Sequence, residues 1–202
     1  AQLTSLHLPG TFNGSIEPNL FSKFTNITDF QLGRGGGARF YPDGINSGTP
    51  LPNIHDTCQT YTAYNNDFRT IASSSGDNKN IKELPNLSYL HLSGNYYLTD
   101  ASFANGLASP DITYINLAAT NLPIPNLAGK TQLQTVYMHY MRNNGGLFSG
   151  NTYKFNNCTA LETLYLYATN VGGRFPRFTN PSLSYLEMRN TGVVGGYKDG
   201  ST

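Results

Sequence analysis

One apolar phrase recurs along the chain, and it constrains the fold more than any other feature. The phrase is L-x-x-L-x-L with conservative exchanges. It stands at Leu3-Leu6-Leu8, Ile27-Phe30-Leu32, Leu87-Leu90-Leu92, Ile112-Ile115-Leu117, Leu133-Val136-Met138, Leu161-Leu164-Leu166 and Leu183-Leu186-Met188. Successive starts lie 24, 60, 25, 21, 28 and 22 residues apart. Recurrence at roughly 20–29 residues is the mark of a repeat architecture. The L-x-L half alternates as a strand with one buried face does, and the earlier Leu turns inward on the approach. A single unit cannot bury these side chains. Stacked on its neighbours, it adds to a continuous apolar column flanked by a parallel sheet.

A second column keeps the same register. Eight residues after the opening apolar residue stand Thr11, Asn95, Thr120, Thr169 and Thr191, while Gly35 and Met141 interrupt the series. A hydroxyl or amide there can satisfy buried backbone groups where a strand ends; Thr also simply suits a strand end.

The stretch Leu161-Glu-Thr-Leu-Tyr-Leu-Tyr-Ala-Thr-Asn-Val-Gly-Gly-Arg-Phe-Pro176 resembles the long-loop leucine-rich repeat L-x-x-L-x-L-x-x-N-x-L-x-G-x-I-P. Thr169 takes the N place, Val171 the L, Gly173 the G, Phe175 the I and Pro176 the P. The last repeat follows through Thr191, Val193, Gly195 and Tyr197, and the first, with Gly14, Ile16 and Pro18, looks like the same motif shifted by about one residue. Phe155-Asn-Asn-Cys158-Thr-Ala-Leu161 resembles the F-x-x-C-x-x-L lead-in of bacterial surface repeats. Related repeats occur in plant-type extracellular receptors and in regions resembling phage tail-fibre and bacterial surface proteins. The resemblance covers residues 1–34 and 84–197. It implies a leucine-rich-repeat solenoid, with a curved parallel β-sheet on the concave side, loops and short 3-10 or irregular turns on the convex side, and little α-helix. The expectation is a single repeat domain over 1–202, of about seven to nine coils, with irregular, insertion-bearing coils at 35–83. The chain opens inside a repeat and ends shortly after Gly195-Gly196, so it reads as a segment of a longer protein.

Composition narrows the function. Charged residues make up 12% of the 202 and the formal net charge is +1, which gives no footprint for nucleic acid. Apolar spacing this regular argues against disorder, and no apolar run is long enough to insert in a membrane. Low charge with abundant Gly (21) and Tyr (14) suits an extracellular, cell-surface or virion-surface setting. Cys58 and Cys158 form no disulfide framework or metal set; Cys158 is expected to point inward as a small apolar residue. Asn13, Asn26, Asn86 and Asn157 head sequons, glycosylation candidates if the protein is secreted by a eukaryote.

Between Ile27 and Leu87 the phrase fades. Two coils of about 24 residues would fit with a surplus of about 12. Weak echoes stand at Thr57-Thr60-Thr62 and Phe68-Ile71-Ser73. The Gly33–Gly44 stretch and the Pro-containing 46–53 segment read as loops, either a contact surface or an unmatched insertion.

Catalytic and cofactor readings fail on their own requirements. Gly33-x-Gly35-x-x-Ala38 needs a helix behind it to hold a dinucleotide, and Tyr41-Pro42-Asp43-Gly44 argues against one. Of His7, His55, His91 and His139, the pair His91 and His139 lies two coils apart and is expected at roughly 10 Å, too far for one zinc. No Ser-His-Asp grouping or carboxylate pair stands out. The expectation is a protein that is not an enzyme and holds no cofactor.

The concave positions are Tyr89, His91, Ser93; Tyr114, Asn116, Ala118; Thr135, Tyr137, His139; Thr163, Tyr165, Tyr167; and Tyr185, Glu187, Arg189. Tyr supplies a rigid ring and a hydroxyl at small entropic cost. The ligand-binding candidates are accordingly Tyr89, His91, Tyr114, Asn116, Tyr137, His139, Tyr165, Tyr167, Tyr185, Glu187 and Arg189, facing a protein or glycan surface. The expected role is structural and recognition work in an extracellular or virion-surface appendage, fibre or adhesin-like, with self-assembly or neighbouring repeat domains as partners. The alternative is a receptor-type ectodomain binding a glycan, peptide or protein ligand on the concave face.

Overall fold

The computed structural model describes residues 2–9, 16–33, 50–141, 154–169, 172–174 and 180–194. Their strands are β1 (Ser5–Pro9), β2 (Asp29–Gly33), β3 (Pro50–Leu51), β4 (Ile54–His55), β5 (Thr60–Thr62), β6 (Thr70–Ile71), β7 (Asn78–Lys79), β8 (Tyr89–His91), β9 (Tyr114–Asn116), β10 (Thr135–Tyr137), β11 (Thr163–Tyr165), β12 (Gly172–Arg174), β13 (Tyr185–Glu187) and β14 (Gly192–Val194). A 3-10 helix, Ala101–Asn105, caps on Asp100, whose carboxylate accepts from Ser102 N at 2.8 Å. The architecture is almost all sheet, with nearly no helix.

Eight strands form one parallel sheet in chain order, β1-β2-β5-β8-β9-β10-β11-β13, with β1 and β13 at its two edges. The alternation read from the sequence sets the register. Leu6 pairs with Phe30, Phe30 with Tyr61, Tyr61 with Leu90, then Ile115, Val136, Leu164 and Leu186 in turn. All from Phe30 to Leu164 are fully buried, and Leu6 and Leu186 pack partly buried at the edges. Residues two further along and three before line up beside them, as in Leu92, Leu117, Met138 and Leu166, and Leu87, Ile112, Leu133 and Leu161. Each fully buried Leu contributes about 1.5–3 kcal/mol over an exposed one. Leu3 remains 44% exposed on the edge strand's approach.

The middle of the chain needs a correction. The weak echo at Thr57-Thr60-Thr62 is one residue out of register: the inward set is Cys58, Tyr61 and Ala63, each at 0% exposure. Tyr61 fits because its hydroxyl donates to Pro52 O at 3.0 Å, so a polar tip is buried without loss. β5 thus continues the large sheet, and the surplus length divides between both sides of it. The second echo does not join the sheet. Phe68 is buried, but Ile71 sits in β6, which pairs with β3, and Ser73 is exposed. A further two-stranded piece, β4–β7, is antiparallel.

A second correction concerns the C-terminal strands. Matching Thr169 with Thr191 sets Gly173 against Gly195, yet β12 pairs with β14 so that Gly173 meets Val193. The chain takes two residues between Thr169 and β12 and none between Thr191 and β14, which shifts this outer ladder by two.

Every exit from the sheet between β5 and β13 uses the same backbone device. Asn65, Gly94, Ala119, Tyr140, Ala168 and Asn190 have φ between 50° and 76°, in the left-handed region. The next residue then turns its side chain inward. Asn66 donates to Leu32 O and Tyr64 O at 3.0 and 2.9 Å, and Asn95 to Ala63 O and Leu92 O at 2.6 and 2.7 Å. Thr120, Thr169 and Thr191 donate only to the carbonyl three residues back, at 2.8, 2.6 and 3.0 Å. Met141 fills the same place with an apolar, buried side chain.

A parallel ladder runs along the approaches. Lys130 Nζ donates to Leu107 O and Ser109 O, both at 2.7 Å. Cys158 Sγ donates to Leu127 O at 3.0 Å, and Asn180 Nδ2 to Phe155 O and Cys158 O at 3.0 Å each. These three residues each stand three before the opening apolar residue of their strand, and each binds carbonyls of the preceding approach. Cys158 is buried and free, as is Cys58. Burial pushes the thiols up to about 11 and about 12 respectively.

Candidate functional site

The in-register parallel strands put one face of the sheet into the core and leave the other open. On the open face the outward residues align across strands. One row runs Ser5, Asp29, Thr60, Tyr89, Tyr114, Thr135, Thr163, Tyr185; the next runs His7, Gln31, Thr62, His91, Asn116, Tyr137, Tyr165, Glu187. His139, Tyr167 and Arg189 follow two residues beyond the second row. The eleven residues named as binding candidates from the sequence are therefore brought onto one surface.

The face divides into two chemistries. Toward β1 and β2 it is small and polar: His7 Nε2 lies 2.7 Å from Asp29 Oδ2, and Gln31 Nε2 donates to the same carboxylate. From β5 to β13 it is a continuous network of rings. Tyr89 and Tyr114 stack at 4.3 Å with planes 3° apart, and Tyr165 and Tyr185 at 4.8 Å and 22°. Tyr137 joins them at 5.9 Å from Tyr114 and 5.0 Å from Tyr165. Both histidines enter the network as flat partners: His139 stacks on Tyr167 at 4.8 Å and 5°, and His91 on Tyr64 at 5.0 Å and 15°. Arg189 approaches the Tyr167 ring at 6.0 Å.

Two members of this network escape a reading of the phrase. Tyr64 is missed because the off-by-one register of the middle hides its strand. Counting eight back from Asn66 would have found it. Tyr140 lies in the left-handed turn, beyond the strand positions, and its ring meets that of Tyr167 edge-on at 5.0 Å.

Electrostatically the strip is quiet. None of the outward residues of β5, β8, β9, β10 and β11 is Asp, Glu, Lys or Arg. At the far end Glu187 and Arg189 neutralise one another, with Nε 2.7 Å from Oε1. The hydrogen bond from Arg189 holds the Glu187 carboxyl below its ordinary range. Burial lowers both His91 and His139, favouring neutral imidazole. His91 Nε2 lies 2.7 Å from Ser93 Oγ and 3.3 Å from Asn116 Nδ2. Burial, aided by Tyr114, pushes the Tyr89 hydroxyl up to about 12, and the neighbouring Tyr185 raises Tyr165. These phenols stay protonated and serve as both donors and acceptors.

Among the described residues no group of three His, Cys, Asp or Glu could hold a metal ion, and no helix is long and apolar enough to cross a membrane. Of the sequons, Asn86 is exposed with Nδ2 donating to Asp56 O at 2.9 Å, Asn157 is exposed in a turn at φ 59°, and Asn26 is half-buried. Thr11, Asn13 and the 34–49 segment, with most of the proposed loop surface, lie outside the described residues. No family model matches the sequence, and the search of curated proteins returns no match.

Proposed function

We propose that the chain is a leucine-rich-repeat solenoid acting as a non-enzymatic recognition module, the attachment element of an extracellular or virion-surface appendage. The observation that carries this reading is the unbroken ring network on the open face. Parallel strands in strict register hold the rings from Tyr64 to Tyr185 on one surface, with planes packed on one another and little rotamer freedom left to lose on binding. Rigid Tyr-rich surfaces with small polar neighbours are what recognition proteins use. The repeated inward columns and the strand order support the repeat reading, since each strand meets only the next in sequence within the sheet.

The test is retention of the labelled protein on a panel of microbial, plant and animal cell surfaces, compared with a variant carrying Tyr137→Ala and Tyr165→Ala. The variant should lose about tenfold or more of its retention while remaining folded. Equal retention by both proteins would remove the open face from consideration.

A further inference from the structure

The way the rings face decides what they can grip. A sugar stacked flat on an aromatic residue needs an exposed ring face. Here the faces are turned toward one another along the sheet: Tyr89 against Tyr114, Tyr165 against Tyr185, His139 against Tyr167. A face covered in this way is closed to a sugar, which leaves the stacked pairs their ring edges and hydroxyls to offer. The rings of each pair stand side by side, Tyr89 with Tyr114 and Tyr165 with Tyr185, and each phenol hydroxyl can both donate and accept.

Spacing adds a second constraint. The five consecutive strands β8, β9, β10, β11 and β13 carry one outward Tyr each, in one or other of the two adjacent rows: Tyr89, Tyr114, Tyr137, Tyr165 and Tyr185. The strands step by about 4.8 Å. An extended polypeptide laid across them advances about 3.3 Å per residue, so its same-facing residues recur at about 6.6 Å and miss successive strands. An extended pyranose chain advances by about one strand spacing per sugar, so it meets a phenol at every step. Lack of charge supplies the third constraint, because an anionic polymer would find no Lys or Arg among the outward residues of β5, β8, β9, β10 and β11 to pair with.

We infer that the strip binds a linear, uncharged glycan lying across the strands, held by a ladder of phenol hydroxyls rather than by sugars stacked on ring faces. This rests on the open face being the recognition surface. Thr135, Asn116 and Ser93 flank the tyrosines and extend the same hydrogen-bonding chemistry.

The probes are uncharged oligosaccharides of two to eight residues built from glucose, mannose, galactose, xylose or N-acetylglucosamine. Binding is read by calorimetry and by tyrosine emission, which no Trp obscures in this chain. For at least one series, affinity should climb about tenfold or more from the dimer to the pentamer, then level off once five strands are spanned. It should change by less than about twofold between low and high salt. The pair Tyr137→Phe and Tyr165→Phe keeps both rings and removes two hydroxyls; it should weaken binding about tenfold or more at an unchanged melting temperature. No saturable binding by any series, binding indifferent to chain length, or full binding by the Phe pair would overturn the inference. If the oligosaccharides fail while Tyr137→Ala with Tyr165→Ala still releases the protein from its target surface, the recognition face stands and its partner is a protein.

Discussion

The side-chain amide of Asn95 donates to two buried carbonyls, Leu92 O of its own strand exit and Ala63 O of the preceding one, and so ties neighbouring strands together. Thr120, in the same place one strand later, has one proton to give and spends it on Leu117 O. Replacing Asn95 with Ala strands both acceptors, and the expected loss is about 2–4 kcal/mol. Asn95→Thr should cost about half as much, since the bond within the exit survives. Urea unfolding of the three proteins measures both; equal stability of Asn95→Ala and wild type would show that the amide ties nothing. The spacing of eight that defines this column was legible in the sequence. Asn66 was not, although it makes the same kind of double bond. Its strand carries Cys58, Tyr61 and Ala63 where the phrase leads one to look for Leu, and packing tolerates those residues for reasons a pattern does not contain.

The strand is the element most faithfully written in the chain, because a buried face forces alternation every second residue. Its exit is not. The left-handed turn requires Gly or Asn only weakly, and here it is taken by Asn65, Gly94, Ala119, Tyr140, Ala168 and Asn190, so three of six positions give no compositional signal. Non-Gly residues in this region carry about 1–2 kcal/mol of strain, partly offset by the entropy Gly loses on folding. Ala119→Gly should therefore raise stability by about 0.5 kcal/mol. Gly94→Ala should lower it by about 2 kcal/mol or more, because a Cβ there would stand 2.1 Å from Asn65 Oδ1 as well as adopting φ 76°. Paired melting curves give both signs; a stabilising Gly94→Ala would contradict the turn geometry. The open face was legible for the same reason as the core, being the other half of the alternation. How its rings stack depends on rotamers in adjacent strands, which no single phrase specifies.

At the scale of the molecule, one apolar cluster runs from Phe21 to Leu166 and includes both cysteines. Cys58 and Cys158 sit at 0% exposure, with thiols pushed up to about 12 and about 11 by burial. Alkylation at about pH 8 should touch neither thiol in the folded protein. On titration with urea both should become reactive together, at the midpoint of the far-ultraviolet signal. Two separated midpoints would mean that the cluster breaks into independently melting parts.

Because β1 and β13 lie at opposite edges of a sheet laid down in chain order, a pull applied between them runs along the inter-strand hydrogen bonds. Such a load peels the sheet instead of shearing it, concentrating force on one outermost strand at a time. Each release frees the chain as far as the next strand. From Tyr114 to Thr135, the shortest such interval, 21 residues are let go, and fully extended they supply about 70 Å of slack. The chain would lengthen under load in small successive steps, with the energy of each tug dissipated strand by strand.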